Sequence, residues 1–474
     1  MQNRIRNASL PVGCVALVSL LTACAPTLQR NESAASPQDA IQAAFVVQAD
    51  NGNAIARVVT VAASCPMIDI DGRARAMQVR AAAALLPSRS GGKQADNKAV
   101  AFPVLTCETT LPRGANTLQV GQHALRAPRD TINHIVIIAD TGCRMKQSDN
   151  AFQDCNDPKK WPFAQIARSA AALQPDLVLH IGDIHYRESP CPTTRTGCAG
   201  SPWGYGFDTW NADLFQPAQP LLAAAPWLFV RGNHESCARA GQGWFRFVDT
   251  QPWTAARSCD DPAFDDGADY SDPFSVRIDP ALQLIVFDSS KAGSKAYAPT
   301  DASYKKYLAN MQQADRLSRQ APHNFFINHH PVLGFSPTRN PAEVKPGNGS
   351  LQSVMAASHP GRLFPAAVDV AMHGHVHLFE AISFSSDHPA TFVMGNAGSA
   401  SEGGFGEHLP VGAQAAPGAV PDVFLSRPEF GFASLDRVGA GWVLTERDVD
   451  GRALIRCDVE GSKTRCKKVQ GGSH

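Results

Sequence analysis

The chain has 474 residues, of which 44% are hydrophobic and 18% are charged, so it can bury a large core and is not disordered by composition. The chain has 43 lysine and arginine residues in total, and also 43 aspartate and glutamate residues. This balance excludes a global electrostatic field that would attract nucleic acid or an anionic membrane. Any charge that binds an anionic ligand must therefore be local.

The N-terminal segment is predicted to be a targeting signal. Arg4 and Arg6 precede an apolar run from Leu10 to Ala23 that is too short to span a membrane. The run ends in the sequence LTAC, which resembles the cleavage box of bacterial lipoproteins. Cleavage there would remove residues 1–23 and leave Cys24 lipidated, with the protein anchored in the cell envelope, in the periplasm or outer membrane of a bacterium. A plain signal peptide cut near the same point is the alternative.

Twelve cysteines in an exported chain predict a set of disulfide bonds. Cys14 would leave with the signal and Cys24 would carry the lipid, so ten cysteines remain. Neighbours in sequence suggest five pairs, although sequence alone does not fix connectivity. The suggested pairs are Cys65–Cys107, Cys143–Cys155, Cys191–Cys198, Cys237–Cys259 and Cys457–Cys466.

Next along the chain, residues 24–41 are expected to form a polar tether and residues 42–128 a small all-β domain. Short apolar runs alternate with turns from Gln42 to Arg126. This region contains no cluster of metal-binding or nucleophilic side chains, so its default role is a spacer or lid. A larger domain is expected at residues 129–474, where runs of strand length alternate with helix-like stretches.

Polar clusters follow the apolar runs of this larger domain at five places. Each run has the length and composition of a buried strand. The clusters are Asp140, Gly182-Asp183, Gly232-Asn233-His234-Glu235, His329-His330 and His373-Gly374-His375-Val376-His377. Because ligand sites of α/β sheets lie at the carboxyl ends of the strands, the five clusters are expected to meet in one crevice.

The side chains delivered to this crevice are suited to metal ions. Oxygen and imidazole ligands without cysteine favour iron, manganese or zinc. Two adjacent cations can hold a phosphoryl group and lower the pKa of a shared water. The large number of ligands favours two ions over one, and a pair of ions that holds a phosphoryl group would suit a small phosphate ester as substrate.

The order of these clusters resembles that of the calcineurin-like metallophosphoesterases. The matching blocks lie within residues 130–400 and are Asp140-Thr141-Gly142, Gly182-Asp183-Ile184-His185-Tyr186, Gly232-Asn233-His234-Glu235, His329-His330-Pro331 and Gly374-His375-Val376-His377. Within that superfamily the chain most resembles the purple acid phosphatases. Most superfamily members have a histidine where this chain has Gly142, and Tyr186 matches the phenolate ligand of the purple acid phosphatases.

This resemblance implies an α/β fold, a four-layer α/β/β/α metallophosphoesterase sandwich preceded by the small all-β domain. The tail from Phe430 to Val469 is expected to add three strands to the second sheet. The implied ligands are Asp140, Tyr186 and His377 for a first metal ion, Asp183 as the bridge, and Asn233, His329 and His375 for a second. Because a phenolate adds a negative charge, the first ion is expected to be Fe(III), beside a divalent iron, zinc or manganese ion.

The general acid is predicted by family analogy. His234 would contact the substrate phosphate or protonate the leaving oxygen, with Glu235 orienting it. Purple acid phosphatases usually supply further histidines from the loop after the fourth block, but residues 332–353 contain none. His330, or else His185, is the candidate to replace them.

The predicted activity is hydrolysis of a phosphomonoester by attack of a metal-bound hydroxide, as in acid phosphatases. Two alternatives stay open. The same site could cleave phosphodiesters or nucleotides, or the chain could be a catalytically silent envelope lipoprotein that binds a partner. No nucleic acid is expected as a binding partner, and the sequence does not indicate an oligomeric state.

Overall fold

The computed structural model describes residues 40–88, 98–405 and 408–469, which belong to one compact unit. The predicted signal peptide at residues 1–23, the predicted lipid site Cys24 and most of the predicted tether lie outside the described residues. Among the described residues, no helix is both long and apolar enough to cross a membrane. The predictions about export and anchoring therefore stay predictions.

Strands make up most of the secondary structure of the described residues. The strands are β1 (Ile41–Gln48), β2 (Ala54–Thr60), β3 (Met67–Ile70), β4 (Arg73–Ala76), β5 (Gln78–Ala81), β6 (Ala84–Leu86), β7 (Val100–Phe102), β8 (Leu105–Thr110), β9 (Thr117–Val120), β10 (His123–Arg126), β11 (His134–Ile138), β12 (Met145–Lys146), β13 (Ala151–Phe152), β14 (Leu177–Ile181), β15 (Trp227–Val230), β16 (Phe274–Arg277), β17 (Leu282–Val286), β18 (His323–Ile327), β19 (Phe335–Pro337), β20 (Val344–Pro346), β21 (Val368–His373), β22 (Phe379–Phe384), β23 (Ala390–Met394), β24 (Pro421–Arg427), β25 (Gly431–Val438), β26 (Gly441–Asp448), β27 (Ala453–Glu460) and β28 (Lys463–Lys468).

Helices lie between the strands in the larger C-terminal part of the chain. They are α1 (Phe163–Ala172), α2 (Phe207–Trp210), α3 (Gln216–Ala224), α4 (Gly241–Phe247), α5 (Asp265–Ala268), α6 (Ala302–Ser318) and α7 (Gly349–Ser358). A π-helical turn at Asn211–Phe215 joins α2 to α3. This mixture of strands and helices confirms the predicted α/β class.

The largest sheet has eleven strands in the order β28-β27-β26-β25-β11-β14-β15-β1-β2-β8-β5. Its centre is parallel, since β11 pairs with β14, β14 with β15 and β15 with β1. The sequences of β11 and β14, HIVII and LVLHI, are almost continuous apolar runs and are buried. Parallel strands have this composition when both of their faces are covered by core.

Strand β1 joins the N-terminal region to this sheet. It pairs in parallel with β15, with Val47 opposite Trp227, and antiparallel with β2. The described part of this region is all-β as predicted, with strands β1–β10 and a short 3-10 turn at Asp50–Gly52. Hydrogen bonding therefore continues across the domain boundary expected at residue 128.

The second sheet has seven strands in the order β16-β17-β18-β21-β23-β22-β24. Its centre is also parallel, because β17 pairs with β18, β18 with β21 and β21 with β23. The expectation that the C-terminal tail adds three strands to the second sheet is wrong. It forms four strands, β25–β28, in the large sheet, where β25 pairs antiparallel with β11 and His134 lies opposite Asp436.

Alternating side chains of the central strands face two different cores. Ile137 of β11 and Met372 of β21 belong to a buried cluster that contains residues of both sheets. Val136, the neighbour of Ile137, packs instead in a cluster with residues of α1 and α3. In the second sheet, Phe326 packs in a third cluster with residues of α6 and α7. The period-two alternation of a strand thus buries each sheet on both faces.

All five disulfide pairs suggested by the sequence are present. They are Cys65–Cys107, Cys143–Cys155, Cys191–Cys198, Cys237–Cys259 and Cys457–Cys466. Two of them, Cys143–Cys155 and Cys237–Cys259, lie in loops that follow β11 and β15. A bridge restricts such a loop in the unfolded chain and so reduces the entropy that is lost when the loop becomes ordered.

Candidate metal centre

Side chains from five strand ends meet at one edge of the two sheets. Asp140 and Asp183 follow β11 and β14, and Asn233 comes after β15, all in the large sheet. His329 comes after β18, and the segment 374–377 follows β21, both in the second sheet. Because these strands are parallel within each sheet, their carboxyl ends lie at the same edge. The seven predicted ligands are brought together there in two groups.

The first group contains four side chains. The Tyr186 hydroxyl lies 2.7 Å from Asp140 Oδ1, 3.1 Å from Asp183 Oδ2 and 2.8 Å from His377 Nε2. The other ring nitrogen of His377 is 2.7 Å from the carbonyl oxygen of Ala400, so a proton on Nδ1 would leave Nε2 free to bind a metal. These four side chains are the ones predicted for the first ion and the bridge.

The second group shares Asp183 with the first. His329 Nε2 is 3.1 Å from Asp183 Oδ2, the same oxygen that faces the Tyr186 hydroxyl. Asp183, His329 and His375 offer ligand atoms that all lie within 4.8 Å of one another. His375 Nδ1 is 3.0 Å from Asn233 Oδ1. One carboxylate oxygen therefore lies in both groups, as a ligand that bridges two ions would.

Three of the predicted ligands have left-handed backbone conformations. The angle φ is 55° at Asp140, 53° at Asp183 and 71° at His375. This region costs a residue other than glycine on the order of 1 kcal/mol or more. Hydrogen bonds hold the strained segments, because the His375 N–H donates to Asp140 Oδ2 and the His234 N–H to Asp183 Oδ1, each at 2.8 Å. Backbone strain at three predicted metal ligands indicates a functional constraint on the direction in which their side chains point.

Close packing explains two glycines of the motifs. A Cβ atom on Gly232 would lie 2.1 Å from Asp183 Oδ1, and one on Gly142 would lie 2.4 Å from the carbonyl oxygen of Ile184. The backbone around these positions cannot accommodate such contacts without moving. The position at which most superfamily members have a histidine therefore has no room for a side chain here, and a donor comes from Tyr186 on the next loop.

The electrostatics of both groups favour cations. Burial, and then the charges of Asp140 and Asp183, raise the pKa of the Tyr186 phenol well above its ordinary value. Burial alone would lower the pKa of His329, but the Asp183 carboxylate raises it to about 9. Burial also opposes protonation of His377, and Asp140 nevertheless raises its pKa. The centre thus holds buried negative charge that metal ions would neutralise, and its oxygen and imidazole donors fit iron, zinc or manganese.

Glu235 has a different role from the one expected. Its buried carboxylate accepts four backbone N–H groups, and the donors are Asp183, Ile184, His185 and Gly232, at 2.9–3.1 Å. Burial and the charge of Asp183 raise the pKa of Glu235 to about 7. The expectation that Glu235 orients the His234 imidazole is therefore corrected, because the carboxylate instead holds the turn that carries Asp183.

Asp213 supports the first group and was not found from the sequence. This buried side chain accepts the backbone N–H groups of Cys143 at 3.1 Å and Tyr186 at 2.9 Å, and the Arg187 Nε–H at 2.7 Å. Its hydrogen bonds therefore connect the loops after β11 and β14 to the π-helical turn that contains Asp213. The surrounding sequence, FDTWNADLF, also contains Asp208, Thr209 and Asn211, so no local pattern distinguished Asp213 from the other polar residues.

The predicted acid His234 lies beside the shared carboxylate. Its Nε2 is 3.7 Å from Asp183 Oδ2, and its Nδ1 is 2.8 Å from the carbonyl oxygen of His185. Glu188 and Arg239, two further residues that were not found from the sequence, also contact this imidazole. The Nε2 side of the ring therefore faces the two groups of donors.

The two other candidate histidines have different surroundings. The ring of His330 lies 4.3 Å from that of His375, and its Nδ1 is 3.2 Å from Ser289 Oγ. Burial, followed by the charge of His329, lowers the pKa of His330 to about 3. The ring of His185 packs against Trp210, with 6.3 Å between centroids. His330 is thus next to the second group of donors, whereas His185 packs among aromatic side chains.

Comparison of the sequence with known protein families identifies the family of this chain. A sequence profile of the calcineurin-like phosphoesterases matches residues 134–379, which is just over half of the chain. The match begins with β11 and ends at the start of β22, so it contains all seven predicted ligands. The chain therefore belongs to the calcineurin-like phosphoesterase family. It is a metallophosphoesterase, a hydrolase of small phosphate esters that uses divalent metal ions.

Solved structures have a similar fold. A purple acid phosphatase from yellow lupin (Lupinus luteus) seeds is 14% identical, with 90% of this chain and 74% of that chain covered and a TM-score of 0.53. The structure of PhoD is 11% identical, with 92% and 93% covered and a TM-score of 0.49. At 14% identity the likeness to the lupin phosphatase concerns the fold alone. No curated protein sequence matches the chain.

Proposed function

We propose that this chain is a phosphomonoesterase of the acid phosphatase type that works with two metal ions. The observation that carries the proposal is the shared oxygen, because Asp183 Oδ2 lies 3.1 Å from both the Tyr186 hydroxyl and His329 Nε2. The residues that would hold the ions are Asp140, Tyr186 and His377 on one side, Asn233, His329 and His375 on the other, and Asp183 between them. Two cations bound there would neutralise the phosphoryl oxygens and supply an activated water.

Iron is proposed for the side that contains Tyr186. A phenolate is a strong anionic donor, and burial, followed by the charges of Asp140 and Asp183, raises the pKa of this phenol, so a cation of high charge is needed to deprotonate it. With three anionic ligands, Asp140, Asp183 and Tyr186, Fe(III) and a divalent ion would still leave a net positive charge. That charge suits a phosphate dianion.

His234 is proposed as the residue that assists the leaving group. Its Nε2 is 3.7 Å from Asp183 Oδ2, so this edge of the ring would face an ester held between the two groups of donors. His330, whose ring lies against that of His375, would contact the same ester. Departure of the alcohol with help from His234 requires no covalent phosphoenzyme.

Hydrolysis of two model substrates tests this proposal. The purified protein is loaded with iron and zinc, its metal content is measured, and turnover of p-nitrophenyl phosphate is compared with that of bis(p-nitrophenyl) phosphate. Faster hydrolysis of the monoester is expected. Faster hydrolysis of the diester would replace the monoesterase assignment by a phosphodiesterase. Two bound ions without hydrolysis of either ester would overturn the proposed activity.

We also propose that the protein is exported and anchored through a lipid on Cys24. Five disulfides support export, because such bonds persist in oxidising compartments. Expression of the whole chain in a bacterium with labelled palmitate tests the anchor. The wild type should incorporate label and fractionate with membranes, and Cys24→Ser should do neither. An unlabelled wild-type protein in the soluble fraction would refute the anchor.

A further inference from the structure

A cavity of about 320 Å³ lies between the two sheets, at the edge opposite the predicted metal centre. Its lining includes residues at the amino ends of three strands of the second sheet. Leu282 begins β17, His323 begins β18, and Asp369 lies near the start of β21. The predicted ligands follow the carboxyl ends of β18 and β21, so a strand of five residues, roughly 16 Å long, separates the two places. The cavity is therefore distinct from the metal centre.

Apolar side chains from both sheets form much of the lining. Leu282 and Phe325 come from the second sheet, and Trp442 and Val459 come from the large sheet. The rings of Phe325 and Trp442 meet edge to face, with 6.4 Å between centroids. Sites for small molecules have volumes of about 300–1,000 Å³ and an apolar lining with a few polar groups. The cavity thus has the size and the lining of a site for a small molecule with an apolar ring.

Arg437 also lines the cavity, but its donors are already used. Its Nε donates to Asn133 Oδ1 at 3.0 Å, and a terminal nitrogen makes a close contact with Asp279 Oδ2. The guanidinium lies over the Trp442 ring, 4.5 Å from the centroid. A carboxylate or phosphate that entered the cavity would compete with Asp279 for this charge. The lining therefore disfavours an anionic ligand.

Three carboxylates line the cavity, and two of them have an arginine partner. Asp279 pairs with Arg437, and Glu460 pairs with the exposed Arg465 at 2.5 Å. The third is Asp369, whose Oδ2 lies 2.7 Å from Nδ1 of His323. Only 18% of the Asp369 side chain is exposed. Asp369 is therefore the carboxylate of the cavity that makes no hydrogen bond to an arginine among the described residues.

The negative charge of Asp369 is compensated only in part. Burial raises the pKa of this carboxyl group, although the hydrogen bond from His323 and the charges of His323 and Arg362 oppose the rise. A raised pKa means that the surroundings disfavour the ionised form of an acid. A cation placed beside Asp369 would remove this penalty and could donate a charge-assisted hydrogen bond. The charge of the cavity thus suits a positively charged ligand.

We propose that this cavity is a second binding site, which takes a small aromatic amine with its ring against Phe325 and Trp442 and its ammonium group beside Asp369. The apolar lining accounts for the ring, since aromatic side chains pack favourably against other rings. The carboxylate without an arginine partner accounts for the charge. The inference does not depend on the proposed phosphatase activity, because the residues of the cavity include none of the predicted metal ligands.

Three indoles that differ in charge test the proposed ligand class. Tryptamine, tryptophol and indole-3-acetate share the ring and carry a cationic, a neutral and an anionic side chain. Isothermal titration calorimetry on the purified wild type should show saturable binding of one tryptamine per chain. Tryptophol should bind about 10-fold or more weakly, because a hydrogen bond to a charged group is lost, and indole-3-acetate should bind more weakly still. Absence of saturable tryptamine binding, or equal binding of indole-3-acetate, would overturn the inference.

Two variants locate the bound amine. Asp369→Asn keeps the shape of the side chain and removes its charge, so it should weaken tryptamine binding about 10-fold or more and change tryptophol binding little. Ala281, which lines the cavity, is exposed, and Ala281→Phe should fill part of the space and weaken binding of both indoles. If Asp369→Asn does not fold, Ala281→Phe decides. Unchanged tryptamine affinity in a folded variant of either kind would place the ligand elsewhere and overturn the inference.

Asp315 provides a matched control. It also faces a histidine, with 3.6 Å between its Oδ1 and Nε2 of His359, but it lies on α6 and does not line the cavity. Asp315→Asn should bind tryptamine like the wild type. Asp183→Asn should also keep the affinity, because an amine can bind a metal ion directly. Loss of tryptamine binding in Asp183→Asn, with binding retained in Asp369→Asn, would assign the amine to the metal centre and overturn the second site.

Discussion

At the residue scale, Tyr186 would distinguish the proposed metal centre from one built on histidines and carboxylates alone. We expect the iron-loaded wild type to absorb visible light through charge transfer from the phenolate, and Tyr186→Phe to lose this band. The measurement is an absorption spectrum recorded beside the iron content. Tyr270→Phe is the control, because the Tyr270 hydroxyl lies 2.9 Å from Ser303 Oγ and contacts no predicted ligand. A band that survives in Tyr186→Phe would remove the phenolate from the iron site.

Glu446 is a buried acid that is not a predicted ligand. Only 1% of the residue is exposed, and its Oε1 accepts a hydrogen bond from Asn396 Nδ2 at 2.8 Å. Burial raises the pKa of Glu446 to about 8. The folded state therefore keeps the proton up to this pH, whereas the unfolded chain releases it near the ordinary value of about 4.5.

This difference predicts how stability depends on pH. Between about pH 4.5 and 8 the folded state binds more protons at Glu446 than the unfolded state, so the free energy of unfolding falls as pH rises, by up to about 1.4 kcal/mol per pH unit. Below that window the contribution is fully present. In Glu446→Gln this contribution to the pH dependence should be absent. Urea unfolding of both proteins between pH 5 and 8 measures it, and parallel curves would contradict the prediction.

At the scale of elements, strand β1 is part of the core that supports the metal centre. Its Phe45 ring lies 6.0 Å from that of Phe215 and 6.4 Å from that of Phe229. From the adjacent strand β2, the buried Arg57 donates to the carbonyl oxygens of Phe247 and Asp249, each at 2.9 Å. The N-terminal strands thus satisfy polar groups at the end of α4 and cover β15.

A truncation tests this dependence. A chain that begins at residue 129 should fail to unfold cooperatively, because it exposes one edge of β15 and leaves buried carbonyl groups without donors. A chain that begins at residue 40 is the control and should unfold like the full-length protein. Circular dichroism during heating measures both. Cooperative unfolding of the shorter chain at the same Tm would show that residues 129–474 fold independently.

At the scale of the whole molecule, metal binding should be coupled to folding. The predicted ligands are spread from Asp140 to His377 and meet only in the folded chain, so ions bind the native state in preference. Free metal at about 100 times its Kd would stabilise the fold by about 2.7 kcal/mol. A chelator should therefore lower Tm, and zinc should restore it. Asp183→Asn should weaken this response, and an unchanged Tm of the wild type after removal of metal would contradict the coupling.

Much of the fold could be predicted because its signals are local. The apolar runs of β11 and β14 are the strands that the sequence predicts, and the polar residues that follow them converge as the rule for parallel strands requires. The cysteine pairs were also predictable, since each joins neighbours in sequence. The pairing of β25 with β11 could not be predicted. It places His134 opposite Asp436, which joins distant parts of the chain, and no local pattern selects it.

The sequence by itself determined the family and the identity of the side chains that converge, since these depend on residue types in a fixed order. Only the tertiary structure decided that Asp183 Oδ2 faces both groups of donors and that Glu235 holds a turn rather than the His234 ring. It also placed Arg239 and Glu188 against that ring. The physical reason is that hydrogen bonds and ion pairs depend on distances of a few ångströms between loops, which residue order does not specify.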